Sequence, residues 1–402
     1  MAVFERINGP RDLDSLSPAE LETLCAELRE HLVQSVAKTG GHLGPNLGVV
    51  ETTVAIHRIF NSPRDPIVFD TGHQSYVHKL LTGRKDLSTL RKKDGIAGYP
   101  QRSESVHDVV ESSHASSSLS WADGIAKAFK ISGQDDRYVV ALIGDGALTG
   151  GMTWEALNNI THENDRKLVI VVNDNGRSYA PTIGGLAKHL TNIRTDKMYK
   201  RMYRFSKKFF YAFGTLGRLV FNAARGAGRS ALETMAPQSM FPNLDIKYIG
   251  PVDGHNIEAL EHALKQAKNY ASPVIVHVIT QKGRGYLPAE DDDEKHLHDA
   301  PVFDPAVGPP KAGPTGYTQA FATTLIDLAK NDSRIMAITA AMPGPTGLIA
   351  FEQHFPERFF DVGIAEQHAV TDFDGQRLGF AFVIGLAWAD GQDFALIRLF
   401  SG

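Results

Sequence analysis

Residues 138–175 read YVVALIGDGALTGGMTWEALNNITHENDRKLVIVVNDN, and this stretch sets the architecture of the chain. The runs 138–143 and 168–172 are continuously apolar and rich in β-branched residues, which is typical of strands buried on both faces of a parallel sheet. The residues between them suit a crossover helix. A right-handed crossover places the two strand ends side by side, where open α/β sheets bind ligands. The sequence therefore predicts an α/β fold with a site at Asp145 and Asn175.

The chemistry of this predicted site favours a metal ion and a diphosphate. Asp145 and Asn175 offer oxygen ligands, which suit Mg²⁺, and Mg²⁺ commonly binds few protein groups while a phosphate completes its coordination. Gly144 and Gly146 allow the backbone to approach a diphosphate closely. A bare GDG is also compatible with a simple tight turn after a strand. The full pattern, GDGALTGG followed by NDN, is much more specific.

The rest of the chain divides into predicted domains. Ser17, Pro18 and Glu20 form a capping box that starts an amphipathic helix ending near Gly40. A helix over 257–268 and a strand over 274–280 extend the first α/β unit, and a second unit begins with a helix over 318–330 and a strand over 335–340. We predict a diphosphate-binding domain over 1–300, a Pro- and Gly-rich linker over 301–317, a second α/β unit over 318–370 and a tail over 371–402.

Composition excludes several classes of protein. The 402 residues carry a net charge of -4, which provides no overall attraction to nucleic acid. Cys25 is the sole cysteine, so it cannot form an internal disulfide, and a cytoplasmic location fits best. No apolar run approaches the roughly 20 residues of a membrane helix. A basic, aromatic insertion over about 192–242 is compatible with a nucleic-acid or membrane surface, but we favour a mobile cover over a cleft.

Eight further segments resemble the 1-deoxy-D-xylulose-5-phosphate synthase family of transketolase-like thiamin diphosphate enzymes, in its actinobacterial form. They are TGGHLGPNLG (39–48), FDTGHQSYVHK (69–79), ESSHASSSLSWADG (111–124), NDNGRSYAPTIGG (173–185), YIGPVDGHN (248–256), KGRGY (282–286), AAMPGPTGL (340–348) and FDVGIAEQHAV (360–370). The resemblance implies the transketolase-like fold, a parallel sheet with helices on both faces, followed by an incomplete second α/β domain. In this family the second unit, over 318–370, is the start of the pyrimidine-binding domain, and residues 371–402 form a divergent tail. Transketolase itself is disfavoured by the DTGHQSYVHK and PVDGHN segments.

The resemblance also implies an activity and its cofactors. The family uses thiamin diphosphate and Mg²⁺ to condense pyruvate, with loss of carbon dioxide, with D-glyceraldehyde 3-phosphate, and an intact chain is expected to form a homodimer. Asp145 and Asn175, with the backbone of Arg177, are expected to hold the metal. Glu366 is expected to bind the aminopyrimidine ring and to act in catalysis. The other expected cofactor contacts are His73, Ser113, His114, Ala115, Gly146, Ala147, Lys282 and Tyr286.

Histidines need separate treatment, because the chain contains 16 of them. His42 lies between glycine-rich elements, where the backbone can approach a ligand, so we expect it to transfer a proton or contact substrate. His298 is a second catalytic candidate, although it matches a family histidine only in approximate position. His57 lies on an apolar helical segment and is expected to be structural.

The family pattern is interrupted after Val370. The residues that follow, TDFDGQRLGFAFVIGLAWADGQDFALIRLFSG, match no register of it, and charged residues stand where small side chains are expected to be buried. We expect a frameshift, a truncation or a recombined gene end. Two functions remain open: a synthase-derived enzyme that needs its missing half, or a catalytically silent thiamin diphosphate-binding or interaction protein.

Overall fold

The structure is a computed structural model, and its description covers most of the chain. The insertion over 192–242 and Arg177 lie outside the described residues. The described residues are 2–163, 165–176, 246–293, 295–310, 316–375, 381–387 and 393–398, the side chains of 372–375, 381–387 and 393–398 excepted.

Five parallel strands form the first sheet, in the order β1-β2-β3-β5-β4. The predicted strands at 138–143, 168–172 and 274–280 are confirmed, each within about two residues of the predicted ends. The strands are β1 (Ile67–Phe69), β2 (Val139–Gly144), β3 (Leu168–Asp174), β4 (Lys247–Asp253) and β5 (Val274–Ile279).

Helices cover both faces of this sheet, as the resemblance implied. The described α-helices are α1 (Pro18–Thr39), α2 (Gly44–Gly48), α3 (Val50–Ile59), α4 (Tyr76–Leu81), α5 (Ser118–Ile131), α6 (Gly151–His162), α7 (Ile257–Lys268), α8 (Leu287–Glu290), α9 (Tyr317–Asn331), α10 (Ile349–His354) and α11 (Glu366–Gly375). Alternate residues of β2 and β3 contribute to two separate cores, one that includes α5 and α6 and one that includes α3 and α7. Each fully buried Val, Leu or Ile contributes about 1.5–3 kcal/mol, so this packing holds the strand ends in fixed positions.

The first long helix follows its predicted signals. Helix α1 starts with Pro18 after the Ser17 N-cap, the Glu20 side chain completes the capping box, and Gly40 ends it. The apolar side of α1 packs against α2, α4 and the segment that ends at Phe303. The helix therefore supports the glycine-rich segment 39–48 from one side.

A second sheet follows, in the order β7-β6-β8-β9. Strand β6 (Ile335–Thr339) pairs in parallel with β7 (Phe359–Asp361) and β8 (Ala381–Ala387), and β9 (Asp393–Arg398) is antiparallel to β8. Helix α11 continues through the predicted break at Val370 as far as Gly375. Residues 301–310 contain no helix or named strand, only an isolated bridge between Asp304 and Gly308. The division into domains stays a prediction.

Among the described residues, no helix is both long enough and apolar enough to cross a membrane.

Candidate active site

The carboxyl ends of β2 and β3 lie side by side. Gly144 pairs with Asn173 in the parallel register, and the backbone N–H of Asp145 donates to the Asn173 carbonyl oxygen at 3.1 Å. Asp145 is buried, with 1% of its surface exposed, and Asn175 follows directly after the end of β3. The predicted adjacency of the two strand ends is therefore confirmed. Asp145 and Asn175 thus follow two neighbouring strands at one edge of the sheet, where open parallel sheets bind ligands.

The loop after Asp145 is anchored to the serine-rich turn before α5. Ser116 donates its hydroxyl to the Ala147 carbonyl oxygen at 2.7 Å, and Asp70, at the end of β1, accepts the backbone N–H groups of Ser116 and Ser118 at 2.9 and 3.1 Å. Burial raises the pKa of the Asp70 carboxyl, and these hydrogen bonds act in the opposite direction. The turn therefore lies against the GDGALTGG loop.

The predicted cofactor contacts in this turn are placed next to that anchor. His114 is exposed, and its Nδ1 lies 2.8 Å from the Ala115 carbonyl oxygen. Ser113 and Ala115 are partly buried, whereas Gly146 and Ala147 are buried below the turn. The five residues therefore lie on two neighbouring loops, the serine-rich turn before α5 and the GDGALTGG loop.

Three predicted histidines form a cluster with a lysine, in which His42, His298 and Lys282 are buried and His73 is partly buried. The rings of His73 and His298 are stacked with centroids 5.0 Å apart, and the His42 ring lies edge-on at 5.5 Å from His73 and 5.8 Å from His298. The Lys282 Nζ lies 2.8 Å from the His298 Nδ1. The structure thus brings together four residues from four separate segments of the chain.

Backbone contacts of the glycine-rich segment assemble this cluster. Gly41 exchanges backbone hydrogen bonds with Ala300 at 2.8 and 2.9 Å, and the N–H of Gly44 donates to the Leu297 carbonyl oxygen at 2.8 Å. A Cβ added at Gly44 would overlap the carbonyl oxygen of His296. Because only glycine permits this approach, the segment that carries His42 lies directly on the segment that carries His298.

Burial lowers the pKa of His42 and of His73, which favours their neutral forms. Burial, together with the positive charges of Arg91 and Lys282, lowers the pKa of His42 to about 3. Burial is also the main cause that lowers the pKa of His73 well below its usual value, with His42 and Lys282 acting in the same direction. A neutral imidazole has one nitrogen that accepts a proton and one that donates, so these rings can exchange protons with a bound ligand.

The remaining predicted residues occupy different surroundings. Tyr286 precedes α8, its hydroxyl donates to the Pro305 carbonyl oxygen at 2.8 Å, and its ring packs near Phe303. These contacts do not join Tyr286 to the histidine cluster. His57 is buried in α3 and its Nε2 lies 2.9 Å from the His78 Nδ1, which agrees with the structural role predicted for it.

Glu366 begins α11, just after a contact between the two α/β units. The backbone N–H of Ile364 donates to the Thr149 Oγ1 at 3.1 Å. Glu366 itself is partly buried. This hydrogen bond joins the GIAEQH segment to the GDGALTGG loop and places the first turn of α11 beside the predicted diphosphate site.

Several site residues escaped the sequence predictions. Asn46 donates its side-chain amide to the carbonyl oxygens of His42 and His73, at 2.7 and 2.8 Å, and accepts the backbone N–H of Tyr76. The Tyr99 ring lies 5.8 Å from that of His42. Asn46 lies in the segment TGGHLGPNLG with His42, and Tyr76 lies in FDTGHQSYVHK with His73. Their closeness in sequence to these histidines was the signal that could have identified them. Tyr99 had none.

Metal binding would rely on few side chains. Within the part of the chain that the structure describes, no three His, Cys, Asp or Glu side chains form a metal-binding group. A metal at Asp145 and Asn175 would therefore complete its coordination with oxygen atoms from a ligand or from solvent.

Two family profiles match the chain. Residues 4–280 match the profile described as 1-deoxy-D-xylulose-5-phosphate synthase, and residues 314–379 match the transketolase pyrimidine binding domain. The second match runs past Val370.

Curated relatives and solved structures agree with these matches. The chain is 60% identical to a 1-deoxy-D-xylulose-5-phosphate synthase of Leifsonia xyli subsp. xyli over 382 residues, which is 94% of this chain and 59% of the relative. It is 56% identical to that of Corynebacterium jeikeium over 384 residues, which is 94% of this chain and 61% of the relative. The chain thus spans about three fifths of the length of these relatives. A transketolase structure from Campylobacter jejuni shares the fold, with a TM-score of 0.50 and 18% identity over 88% of this chain and 62% of that one.

Proposed function

Because the chain belongs to the 1-deoxy-D-xylulose-5-phosphate synthase family, we propose that it carries the thiamin diphosphate and Mg²⁺ site of such a synthase. The observation that supports this most strongly is the hydrogen bond between Ile364 and Thr149, which joins the Glu366 segment to the GDGALTGG loop. A cofactor with a diphosphate at one end and a pyrimidine at the other needs both segments at one cleft. Ligand sites often form where two such units meet.

The residues at the strand ends fit a magnesium diphosphate. Asp145 supplies a buried carboxylate and Asn175 an amide oxygen, both hard oxygen donors. The backbone of Arg177 is proposed as a third ligand, and this residue lies outside the described residues. Gly146 and Ala147 would lie along the diphosphate.

The histidine cluster fits the anionic part of the ligands. Lys282 is 4% exposed and brings a positive charge among His42, His73 and His298. An ammonium group is a compact positive charge with three N–H donors, and a phosphate group is a ligand that suits it. Lys282 is therefore proposed to bind phosphate, with Ser113, His114, Ala115 and Tyr286 as further cofactor contacts.

The chain's own residues are proposed to hold and move protons. Thiamin diphosphate, when bound, supplies the carbanion chemistry that joins the two-carbon unit of pyruvate to an aldehyde. Glu366 binds the aminopyrimidine ring and controls its protonation. His42 and His298 exchange protons with the substrates, pyruvate and D-glyceraldehyde 3-phosphate. Their buried rings are edge-on to each other with centroids 5.8 Å apart, and the Lys282 Nζ lies 2.8 Å from the His298 Nδ1.

A homodimer is proposed as the working assembly. The outer side of α5 exposes Trp121 to 45% and Ile131 to 88%, and a shallow apolar depression runs along it past Gly124 and Ala128. Apolar patches of this kind often mark protein interfaces. Cytoplasmic location and the absence of nucleic-acid and membrane partners stay predictions from the sequence.

A catalytically silent cofactor-binding or interaction protein is the second candidate function. The chain spans about three fifths of its relatives, so the complete reaction is a proposal for this polypeptide. Calorimetric titration with thiamin diphosphate and Mg²⁺ tests the cofactor site. Product formation from the two substrates, with the remaining part of a full-length relative added as a second chain, separates the two candidates. Binding without turnover would favour the silent protein.

A further inference from the structure

His255, in the segment YIGPVDGHN, has no role in the proposed cofactor site, yet both of its ring nitrogens form hydrogen bonds. Its Nδ1 lies 3.1 Å from the Glu51 Oε2, and its Nε2 accepts the backbone N–H of Gln281 at 2.8 Å. Gln281 directly precedes Lys282, whose Nζ enters the histidine cluster. The ring of His255 therefore connects a buried carboxylate to the base of the KGRGY segment.

The tautomer of His255 follows from these partners. A backbone N–H can only donate, so the Nε2 must be unprotonated and the Nδ1 must carry the proton that Glu51 accepts. Burial raises the pKa of Glu51, but hydrogen bonds from His255 and Arg29 outweigh burial and lower it to about 2. A carboxylate thus fixes the ring in the one neutral form that can accept from Gln281.

Arg29 fixes Glu51 in turn. Its two terminal nitrogens bind the two carboxylate oxygens at 2.7 and 2.6 Å, a bidentate geometry that restricts the rotation of both groups. The side chains of Arg29, Glu51 and His255 are only 12%, 9% and 8% exposed, so solvent screens them little. Arg29 also lies against Gly285, where an added Cβ would be 2.9 Å from its Cδ.

We propose that His255 is a positioning residue: with Glu51 and Arg29, it holds the backbone of Gln281 so that Lys282 enters the cluster beside His298. The proposal rests on the proposed function for the role of Lys282 toward phosphate. The hydrogen bonds leave Gln281 little freedom to rotate, and neighbouring backbone bonds restrain Gly283 on the other side, where its N–H donates to the Gly44 carbonyl oxygen at 3.0 Å. Lys282 is therefore held from both ends.

Three variants test this role. His255→Leu removes both hydrogen bonds, whereas His255→Gln retains a side-chain donor and acceptor and should rescue the effect. Glu261→Leu is the matched control, because Glu261, on α7, forms ion pairs with Lys265 and with Arg58, which lies on the same helix α3 as Glu51. If His255→Leu does not fold, His255→Asn replaces it, since asparagine is too short to bridge Glu51 and Gln281.

Two readouts separate positioning from general stability. The first is the ring nitrogen NMR signals of His298 without ligand, assigned with His298→Gln; the second is the affinity for thiamin diphosphate with Mg²⁺, by calorimetry. We expect His255→Leu to shift the His298 signals and weaken binding about tenfold. His255→Gln should restore both, and Glu261→Leu should lower only the unfolding temperature.

The outcomes distinguish this proposal from the proposed function. Unchanged His298 signals in His255→Leu would overturn the positioning role, as would equal shifts in Glu261→Leu. If the parent chain binds no thiamin diphosphate while the His298 signals respond as expected, the positioning role holds and the proposed cofactor site fails.

Discussion

The backbone N–H of Ile364 donates to the Thr149 Oγ1 at 3.1 Å, across the boundary between the two α/β units. The same hydroxyl donates to the Gly146 carbonyl oxygen at 2.7 Å, so one side chain connects the Glu366 segment to the loop after Asp145. Thr149 therefore couples the two proposed ends of the cofactor site.

Removing this hydroxyl should weaken cofactor binding. Thr149→Val keeps the shape of the side chain but loses both hydrogen bonds, and each net bond is worth about 1 kcal/mol. We expect a roughly fivefold to thirtyfold loss of thiamin diphosphate affinity in calorimetry. Thr149→Ser retains the hydroxyl and is the control. Equal affinities of the Val and Ser variants would show that the contact does not contribute.

The close approach at Gly44 should be intolerant of any side chain. In Gly44→Ala the Cβ overlaps the His296 carbonyl oxygen, so the backbone that carries His298 must move. We expect the free energy of unfolding in urea to fall by about 2 kcal/mol or more. Gly9→Ala is the control, because nothing lies within 4 Å of a Cβ at Gly9, and its effect should stay within about 0.5 kcal/mol. Similar losses in both variants would contradict the close-packing argument.

The buried histidines should make the protein sensitive to acid. Because the pKa of His42 falls to about 3 on folding, the unfolded chain binds more protons than the folded chain between about pH 6.5 and pH 3. The stabilising effect of the neutral ring is complete above that window and is lost as the pH falls through it. His42→Gln should reduce the slope of unfolding free energy against pH by up to about 1.4 kcal/mol per pH unit. Urea titrations at about pH 5 and pH 7 measure this, and an unchanged slope would contradict the burial argument.

A polypeptide of these 402 residues should make no deoxyxylulose phosphate, or only a trace. Glu366 can act on the pyrimidine only if its domain holds it within hydrogen-bond reach, at roughly 2.6–3.2 Å, and the sequence departs from the family pattern soon after Val370. The assay is product formation from pyruvate and D-glyceraldehyde 3-phosphate at saturating cofactor and Mg²⁺, with Glu366→Ala as the control. Turnover comparable to that of a full-length synthase, lost in the control, would contradict this prediction.

Local patterns predicted the elements of the fold and the paired strand ends. Apolar β-branched runs, the Ser17 capping box and the 30-residue spacing of Asp145 and Asn175 act through near neighbours, so the sequence alone placed them. The register of β2 with β3 then brought the two predicted metal ligands to one edge.

Contacts between distant segments were beyond such patterns. His298 had only an approximate motif match, and its position beside His42 depends on backbone contacts between residues 41–44 and 297–300. Asp70 binds Ser116, which is 46 residues away in the sequence, and His255 binds Gln281, which is 26 residues away. Hydrophobic periodicity does not predict contacts between such distant residues. The continuation of α11 beyond Val370 as far as Gly375 was also not predicted from the sequence.

Calorimetric titration of thiamin diphosphate in the presence of Mg²⁺, with the parent chain and Asp145→Ala, tests the proposed cofactor site most directly. Asp145 is buried at the end of β2, so the variant removes a charged ligand from the metal while the sheet remains intact. Asp165→Ala, which changes an exposed aspartate just before the amino end of β3, is the matched control. We predict saturable, Mg²⁺-dependent binding by the parent and the control and a loss of at least about tenfold in Asp145→Ala. Equal affinity in Asp145→Ala, or no binding by the parent, would contradict the proposed site.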